Sequence, residues 1–162
     1  VFMYSNGDKY FGTFVESYAQ GMGQYFYSDG RKYTGYFAKG LYSGLGEFLW
    51  ANGNTFYGEF VAGVKEGMGH FESATGESYT GHYKHDMPWG LGEFTYIDGN
   101  KYCGDFEGKL RHGIGEYTYP NEDVFIGQFA NSLIHGCGLY TYGSGRTYTG
   151  KFLHNKREGC GE

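Results

Sequence analysis

Seven glycines, Gly12, Gly35, Gly58, Gly81, Gly104, Gly127 and Gly150, recur at 23-residue steps with no insertion or deletion between them. A strict period of this kind restricts the chain to a stack of one supersecondary unit, because each copy must bury its apolar side against its neighbours. One copy reads Tyr33-Thr34-Gly35-Tyr36-Phe37, then Gly40, then Gly44-Leu45-Gly46-Glu47-Phe48, and closes at Ala51-Asn52-Gly53. The 31 glycines and the 21% aromatic content are properties of that unit. With only two prolines, the chain does not read as disordered glycine-rich sequence.

Between Phe48 and Phe60, aromatic residues alternate with other residues on both sides of Asn52-Gly53. That pattern predicts a β-hairpin with a type I′ turn, which needs positive φ at both central positions. Equivalent turns at Asn6-Gly7, Asp29-Gly30, Thr75-Gly76, Asp98-Gly99, Asn121-Glu122 and Ser144-Gly145 bring the count to seven hairpins. They cover about residues 1–14, 24–37, 47–60, 70–83, 93–106, 116–129 and 139–152. Glu122 replaces the turn glycine and is expected in a strained or altered turn, while Glu72 and Ser73 weaken the first strand of the fourth hairpin. Nine-residue connections such as Val15 to Gly23, each ending in a glycine pair, are expected to link the hairpins. No segment has useful helical periodicity. The expected fold is all-β, an elongated single-layer antiparallel sheet of seven repeated hairpins in one continuous array over 1–162, roughly 65 Å long at two strands per repeat. Val1 and Glu162 align with the same repeat position as Glu47, and neither end diverges as a cap does. The chain is therefore expected to be a segment of a longer array, or to have its ends covered by another molecule.

Alternation sorts the side chains onto two faces. Tyr33, Gly35, Phe37, Phe48 and Trp50, with equivalents such as Tyr102, Gly104, Phe106, Phe94 and Tyr96, are assigned to the core. An aromatic ring from the adjacent strand is expected to lie over each central glycine. Two further columns, Met22, Leu45, Met68, Leu91, Ile114, Cys137 and Cys160, and Tyr18, Leu41, Val64, Met87, Leu110, Leu133 and Lys156, are expected to brace one edge of the sheet.

The net charge of -5 argues against a dedicated nucleic-acid binder, which needs a basic stripe for phosphate. Residues 1–100 carry six Lys/Arg against eleven Asp/Glu, and residues 101–162 carry seven against seven, so the acidic excess belongs to the first part. Three cysteines, an odd number, make no disulfide framework and point to a reducing, cytoplasmic setting. No run is apolar enough for a secretory or transmembrane segment.

The pattern Tyr-x-Gly-x-Phe-x-x-Gly-x-x-x-Gly-x-Gly resembles the MORN repeat (membrane occupation and recognition nexus) over the whole chain. Departures are the middle glycine, present only at Gly40 and Gly63 and replaced by Ser17, Asp86, Lys109, Ser132 and Asn155, and the histidine before the glycine pair, found only at His112 and His135. The resemblance implies an elongated antiparallel sheet with no enzymatic activity of its own, acting as a scaffold in cytoskeletal or membrane-bridging assemblies and often pairing as a homodimer. Phosphoinositide or membrane binding is a family association.

Candidate chemistry is sparse. Glu47, Glu93, Glu116 and Glu162 share one repeat position, but copies about 9.6 Å apart on a solvated face do not make an acid/base pair. The glycine pairs lack the helix N-terminus and Lys-Ser/Thr of a phosphate loop. His82, His85 and Asp86 lack a partner cluster that would complete a zinc site within the chain, leaving only zinc shared between two chains. No catalytic, cofactor-binding or metal residue is assigned, and no cofactor is expected. Cys137 and Cys160 are expected to be buried small hydrophobes, and Cys103 exposed. On the face opposite the core, Met3, Phe11, Phe26, Tyr36, Leu49 and Tyr57 contrast with Thr80, Thr95, Thr118, Thr141 and Thr149 in later copies. The large apolar set is the candidate protein interface. The leading expectation is a non-catalytic cytoplasmic, cytoskeleton-associated scaffold that holds protein partners, including a second copy of itself. The alternative is a peripheral membrane module binding anionic phospholipid through Arg146, Lys151, Lys156 and Arg157.

Overall fold

The computed structural model describes residues 1–159 and 161, with no helix among them. A short β1 (Phe2–Met3) leads into seven- and nine-residue strands in alternation. These are β2 (Lys9–Val15), β3 (Tyr18–Phe26), β4 (Lys32–Ala38), β5 (Leu41–Leu49), β6 (Thr55–Val61), β7 (Val64–Glu72), β8 (Ser78–Lys84), β9 (Met87–Thr95), β10 (Lys101–Glu107), β11 (Leu110–Thr118), β12 (Val124–Ala130), β13 (Leu133–Thr141) and β14 (Thr147–Leu153), followed by β15 (Lys156–Glu158). The 15 strands form an open antiparallel sheet in sequence order. Two compact units are distinguished, Val1–Gly76 with Tyr83–Asp86 and Glu77–His82 with Met87–Glu162. β1 to β7 belong to the first, β9 to β15 to the second, and β8 divides between them.

The nine-residue segments expected as connections are strands. Val15 to Gly23 is mostly β3, and its glycine pair lies mid-strand at a bulge. Gly12 pairs with Gly23 but Thr13 pairs with Gln20, so Gly21 and Met22 are extra residues on β3. Likewise Gly35 pairs with Gly46 and Phe37 with Tyr42. Gly21 and Gly44 hold positive φ, +75° and +65°, the conformation that lets the strand take up extra residues and continue. Glu72 still closes a full nine-residue β7, so the weakening expected there does not shorten the strand.

The turn chemistry is also exchanged between the two edges. At Asn52-Gly53 the Gly53 N–H donates to the Trp50 carbonyl (3.0 Å) and the Trp50 N–H to the Asn54 carbonyl (2.9 Å), with positive φ at Gly53 alone. This is a three-residue loop, not the expected two-residue I′ turn. The Asn52 side chain is the cause: its Oδ1 accepts from the Asn54 N–H (3.1 Å). Asn6, Asp29, Asp98 and Asn121 do the same, leaving the left-handed position to the following residue. At Glu122 that position is filled at φ 67° without a glycine, and its N–H still donates to the Tyr119 carbonyl (3.0 Å). Turns with positive φ at both central residues lie at the other edge, at Lys39-Gly40, Ala62-Gly63, His85-Asp86 and Asn131-Ser132.

This placement accounts for the variable middle glycine. That position's N–H donates to a carbonyl of the preceding repeat, Gly40 to Ala19 (3.0 Å), Gly63 to Tyr42 (2.9 Å), Ser132 to Arg111 (2.9 Å) and Asn155 to Ile134 (3.0 Å). Asp86, Ser132 and Asn155 accept the left-handed conformation and return a hydrogen bond: Asp86 Oδ1 accepts from Lys65 N–H (2.9 Å) and Asn155 Oδ1 from Ile134 N–H (2.7 Å). The side chain replaces the freedom of glycine with a bond between repeats.

One ring per repeat organises the core. Tyr10, Tyr33, Phe56, Tyr79, Tyr102 and Phe125, 23 residues apart, are the fully buried large side chains. Each lies over two facing glycines: a Cβ added at Gly35 would sit 2.5 Å from the Tyr33 hydroxyl and 2.7 Å from the Gly46 Cα. The ring over each central glycine belongs to that glycine's own strand, two residues earlier, and not to the adjacent strand as expected; only the facing glycine, such as Gly46, is covered from the adjacent strand. Without a Cβ at the next position on that face, the ring can lie along its own strand. Its hydroxyl then donates to the carbonyl three residues on, as in Tyr79 to His82 and Tyr102 to Asp105 (both 2.9 Å). Burial pushes the Tyr33 and Tyr79 phenols up to about 12. Edge-on contacts link repeats within each unit, Tyr10 to Phe37 (5.0 Å) in the first and Tyr102 to Phe129 (5.0 Å) in the second. Each contributes about 1 kcal/mol beyond burial.

Candidate protein-interaction faces

Because cross-strand partners share a face, the register places every member of the apolar set together on the outer face of the first unit. Met3 pairs with Lys9, Phe26 with Lys9 and Lys32, Phe11 with Gln24, Tyr36 with Met22, Leu49 with Lys32 and Thr55, and Tyr57 with Glu47. Tyr36 and Tyr57 are more than half exposed, at 53% and 56%. Phe11 and Phe26 meet edge-on at 5.4 Å, and the Lys32 ammonium lies 5.2 Å over the Phe26 ring.

Met22, Leu45 and Met68 extend this face, where the sequence reading had placed them at a sheet edge. The bulge puts them in-strand and pointing away from the rings, so Met22, Leu45, Met68, Leu91 and Ile114 are all exposed. Cys137 shares that exposure, which corrects its assignment as a buried small hydrophobe; Cys103 is exposed as expected, and Cys160 lies outside the described residues. The column beginning Tyr18, Leu41 and Met87 does border the next repeat's turn, lying 3.6, 3.9 and 3.8 Å from a Cβ built at Gly40, Gly63 and Gly108. On the second unit's outer face, Leu91, Ile114, Ile126 and Leu139 are interspersed with Thr118 and Thr141 and with Glu93 and Glu116, which are solvent-exposed. Glu162 lies outside the described residues.

The four basic residues do not gather at one site: Lys151 and Lys156 lie on the outer side, while Arg146 and Arg157 both lie 5.3 Å from the Tyr142 centroid. Lys151 faces Cys137 and Glu158 and Lys156 faces Leu153 on the outer side, whereas Arg157 faces Phe152 on the aromatic side, its guanidinium 4.6 Å over Tyr148. Arg146 folds over Tyr142, 5.3 Å from its centroid. Among the described residues no three His, Cys, Asp or Glu side chains gather as a metal site.

The aromatic face carries groups that the sequence reading did not single out. Tyr42 stacks on Tyr33 (3.7 Å, 18°) and its hydroxyl meets that of Tyr27. At the equivalent repeat position Arg111 lies over Tyr117 (4.8 Å), Phe129 (5.7 Å), Tyr102 (5.8 Å) and Tyr96 (5.9 Å). Lys65 and Arg157 also occupy this position, and the two-repeat spacing of 65, 111 and 157 was a legible signal. Near the loops, Asp123 accepts from the Tyr140 hydroxyl (2.6 Å) and the Gly143 N–H (2.9 Å), which hold its carboxyl below the usual range. Asp8 is lowered in the same way by the Ser28 N–H and the Tyr25 hydroxyl.

An open meander with ring-covered glycine pairs and two faces of different chemistry defines a sheet-type repeat protein. The sequence model of the MORN repeat matches residues 10–30, 33–55, 56–78, 79–101, 102–124, 125–145 and 148–162, so the chain belongs to the MORN-repeat family. No curated protein matches it in sequence. Among solved structures it is similar to the SAS-4 (dCPAP) TCP domain of Drosophila melanogaster, determined in complex with a proline-rich motif of Ana2 (dSTIL). That likeness has 16% identity and a TM-score of 0.55, and covers 89% of this chain and 77% of the other; it is a likeness of fold.

Proposed function

We propose that this chain is a non-catalytic scaffold that holds protein partners and associates with a second copy of itself in a cytoskeletal or membrane-associated assembly. The observation that carries the reading is the gathering of Met3, Phe11, Phe26, Tyr36, Leu49 and Tyr57, with Met22 and Leu45, on one outer face of the first unit. An apolar-rich patch on a sheet face is a contact surface by its chemistry, whereas the repeated core residues are committed to the fold. The protein complex formed by the structurally similar TCP domain supports protein partners over a lipid ligand. The separation of Arg146, Lys151, Lys156 and Arg157 disfavours a concentrated headgroup site. Light scattering with in-line mass determination, from low to high micromolar protein, tests the reading. The expected result is a dimer that becomes a monomer on Tyr36→Lys with Tyr57→Lys; a wild-type monomer throughout would remove self-association.

A further inference from the structure

Arg111 sits in the second unit at the start of β11, half-buried among rings, and no carboxylate forms an ion pair with it among the described residues. Its Nη2 donates to the Ser132 carbonyl (2.6 Å), but its Nε is buried without a hydrogen-bond partner. The guanidinium borders an open cleft of about 290 Å³ lined by Arg111, Tyr117, Tyr119, Phe129, Ile134 and Asn155. Asp123, an acid close to these tyrosines, is already engaged by Tyr140 and Gly143. A cation withdrawn from water with donors unfilled is costly unless an anion completes it, and a planar fork of N–H groups matches a carboxylate. Two repeats along the same face, Arg157 repeats the arrangement over Tyr148, Tyr142 and Tyr140.

We propose that the aromatic face of the second unit receives an extended acidic segment of a partner protein, with one carboxylate on Arg111 and a second on Arg157. Four strand spacings separate the two arginines, about 19 Å. An extended or polyproline chain advances about 3.1–3.4 Å per residue, so acidic residues about six positions apart meet both cations. The intervening residues cross Tyr119 and Tyr140, whose half-buried rings offer the apolar surface on which proline and aliphatic residues dock. This deepens the protein-scaffold reading and rests on it, but uses a face different from the self-association patch.

The test is fluorescence anisotropy with a labelled peptide of five prolines flanked by two glutamates, against the full chain. Saturable binding is expected, with at least a tenfold loss in Arg111→Gln, a smaller loss in Arg157→Gln, and an equal tenfold loss when both glutamates of the peptide are glutamine. Arg111→Lys, which keeps the charge and stem but not the fork, should bind weakly while melting like the wild type, so the outcome stands even where Arg111→Gln folds poorly. Tyr36→Lys with Tyr57→Lys should bind the peptide unchanged, which separates failure of this site from failure of self-association. No saturable binding up to millimolar peptide, equal binding of the glutamine peptide, or co-sedimentation with phosphoinositide vesicles by the wild type but not by Arg111→Gln would each overturn the proposal.

Discussion

At one repeat position the first unit places Tyr42 and, one repeat on, Lys65, whose ammonium lies 4.8 Å over Trp50 and Phe56, while the second places Arg111; Tyr42 and Arg111 act on the same kind of neighbour in opposite ways. Tyr42 stacks flat on Tyr33 and completes the aromatic layer, whereas Arg111 lays a charge over Tyr102, leaves its Nε buried without a partner and borders a cleft. The outer faces differ correspondingly. The first unit exposes the rings of Phe11, Tyr36 and Tyr57; at the repeat position of Phe11 and Tyr57 it also holds Thr34, and the second unit holds Thr80, Cys103, Ile126 and Thr149. The glycine pairs and their covering rings are alike in both. Residues that build the sheet are therefore shared, and what distinguishes the units is carried by positions the repeat leaves open.

The largest expected effect tests that shared part. Gly35→Val and Gly104→Val should each cost about 3 kcal/mol or more, because a Cβ at Gly104 would lie 2.5 Å from the Gly115 Cα and 2.6 Å from the Ile114 carbonyl, where backbone must move. Urea unfolding of both variants checks it, and tolerance in one unit only would break the comparison. Exchanging the distinguishing residues comes next. Tyr42→Arg should cost about 2 kcal/mol through loss of the stack and the Tyr27 hydroxyl contact, while Arg111→Tyr should stay within about 1 kcal/mol, as read from urea midpoints.

Acid should act on both units alike, through Asp8 in the first and Asp123 in the second. Their folded carboxyls are depressed below the unfolded value of about 3.9, so their contribution is complete above that pH and is lost as pH falls through the folded value. Melting temperature should drop as pH falls below about 4, and Asp8→Asn with Asp123→Asn should flatten that fall. Tyr33 and Tyr79 are raised to about 12, so the stability they carry is present below about pH 10 and lost as pH rises toward 12. The smallest effect belongs to the loops. In the three-residue loops the first unit has glycine at each left-handed position, Gly7, Gly30, Gly53 and Gly76, whereas the second has Glu122 in one. Glu122→Gly should stabilise by about 0.5–1 kcal/mol in the same urea measurement.

Much of this was legible in the sequence. The period, the all-β sheet, the aromatic core face and the strained Glu122 follow from spacing and residue type, because alternation and left-handed glycine are local properties. The outer apolar set was also legible, since Phe11, Phe26 and Tyr57 are out of phase with the core residues of their strands. What local rules misplaced were the glycine pairs: two close glycines read as a loop, yet the facing strand holds them in a bulge, turning Met22 and Leu45 outward and exposing Cys137. The turn types were exchanged for a similar reason, because the Asn52 side chain bonds its own loop and transfers the left-handed requirement to Gly53.

By itself, then, the sequence determined that this chain repeats a glycine-centred strand pair and which residues share a face, since both follow from chain geometry within one repeat. Only the tertiary structure decided that Tyr33 covers the glycines of its own strand pair, and that Asp86, Ser132 and Asn155 tie one turn to the preceding repeat. It alone decided that Arg111 lies among four rings with no ion-paired carboxylate among the described residues. These depend on register between strands about 20 residues apart, which the bulges shift and no local pattern encodes.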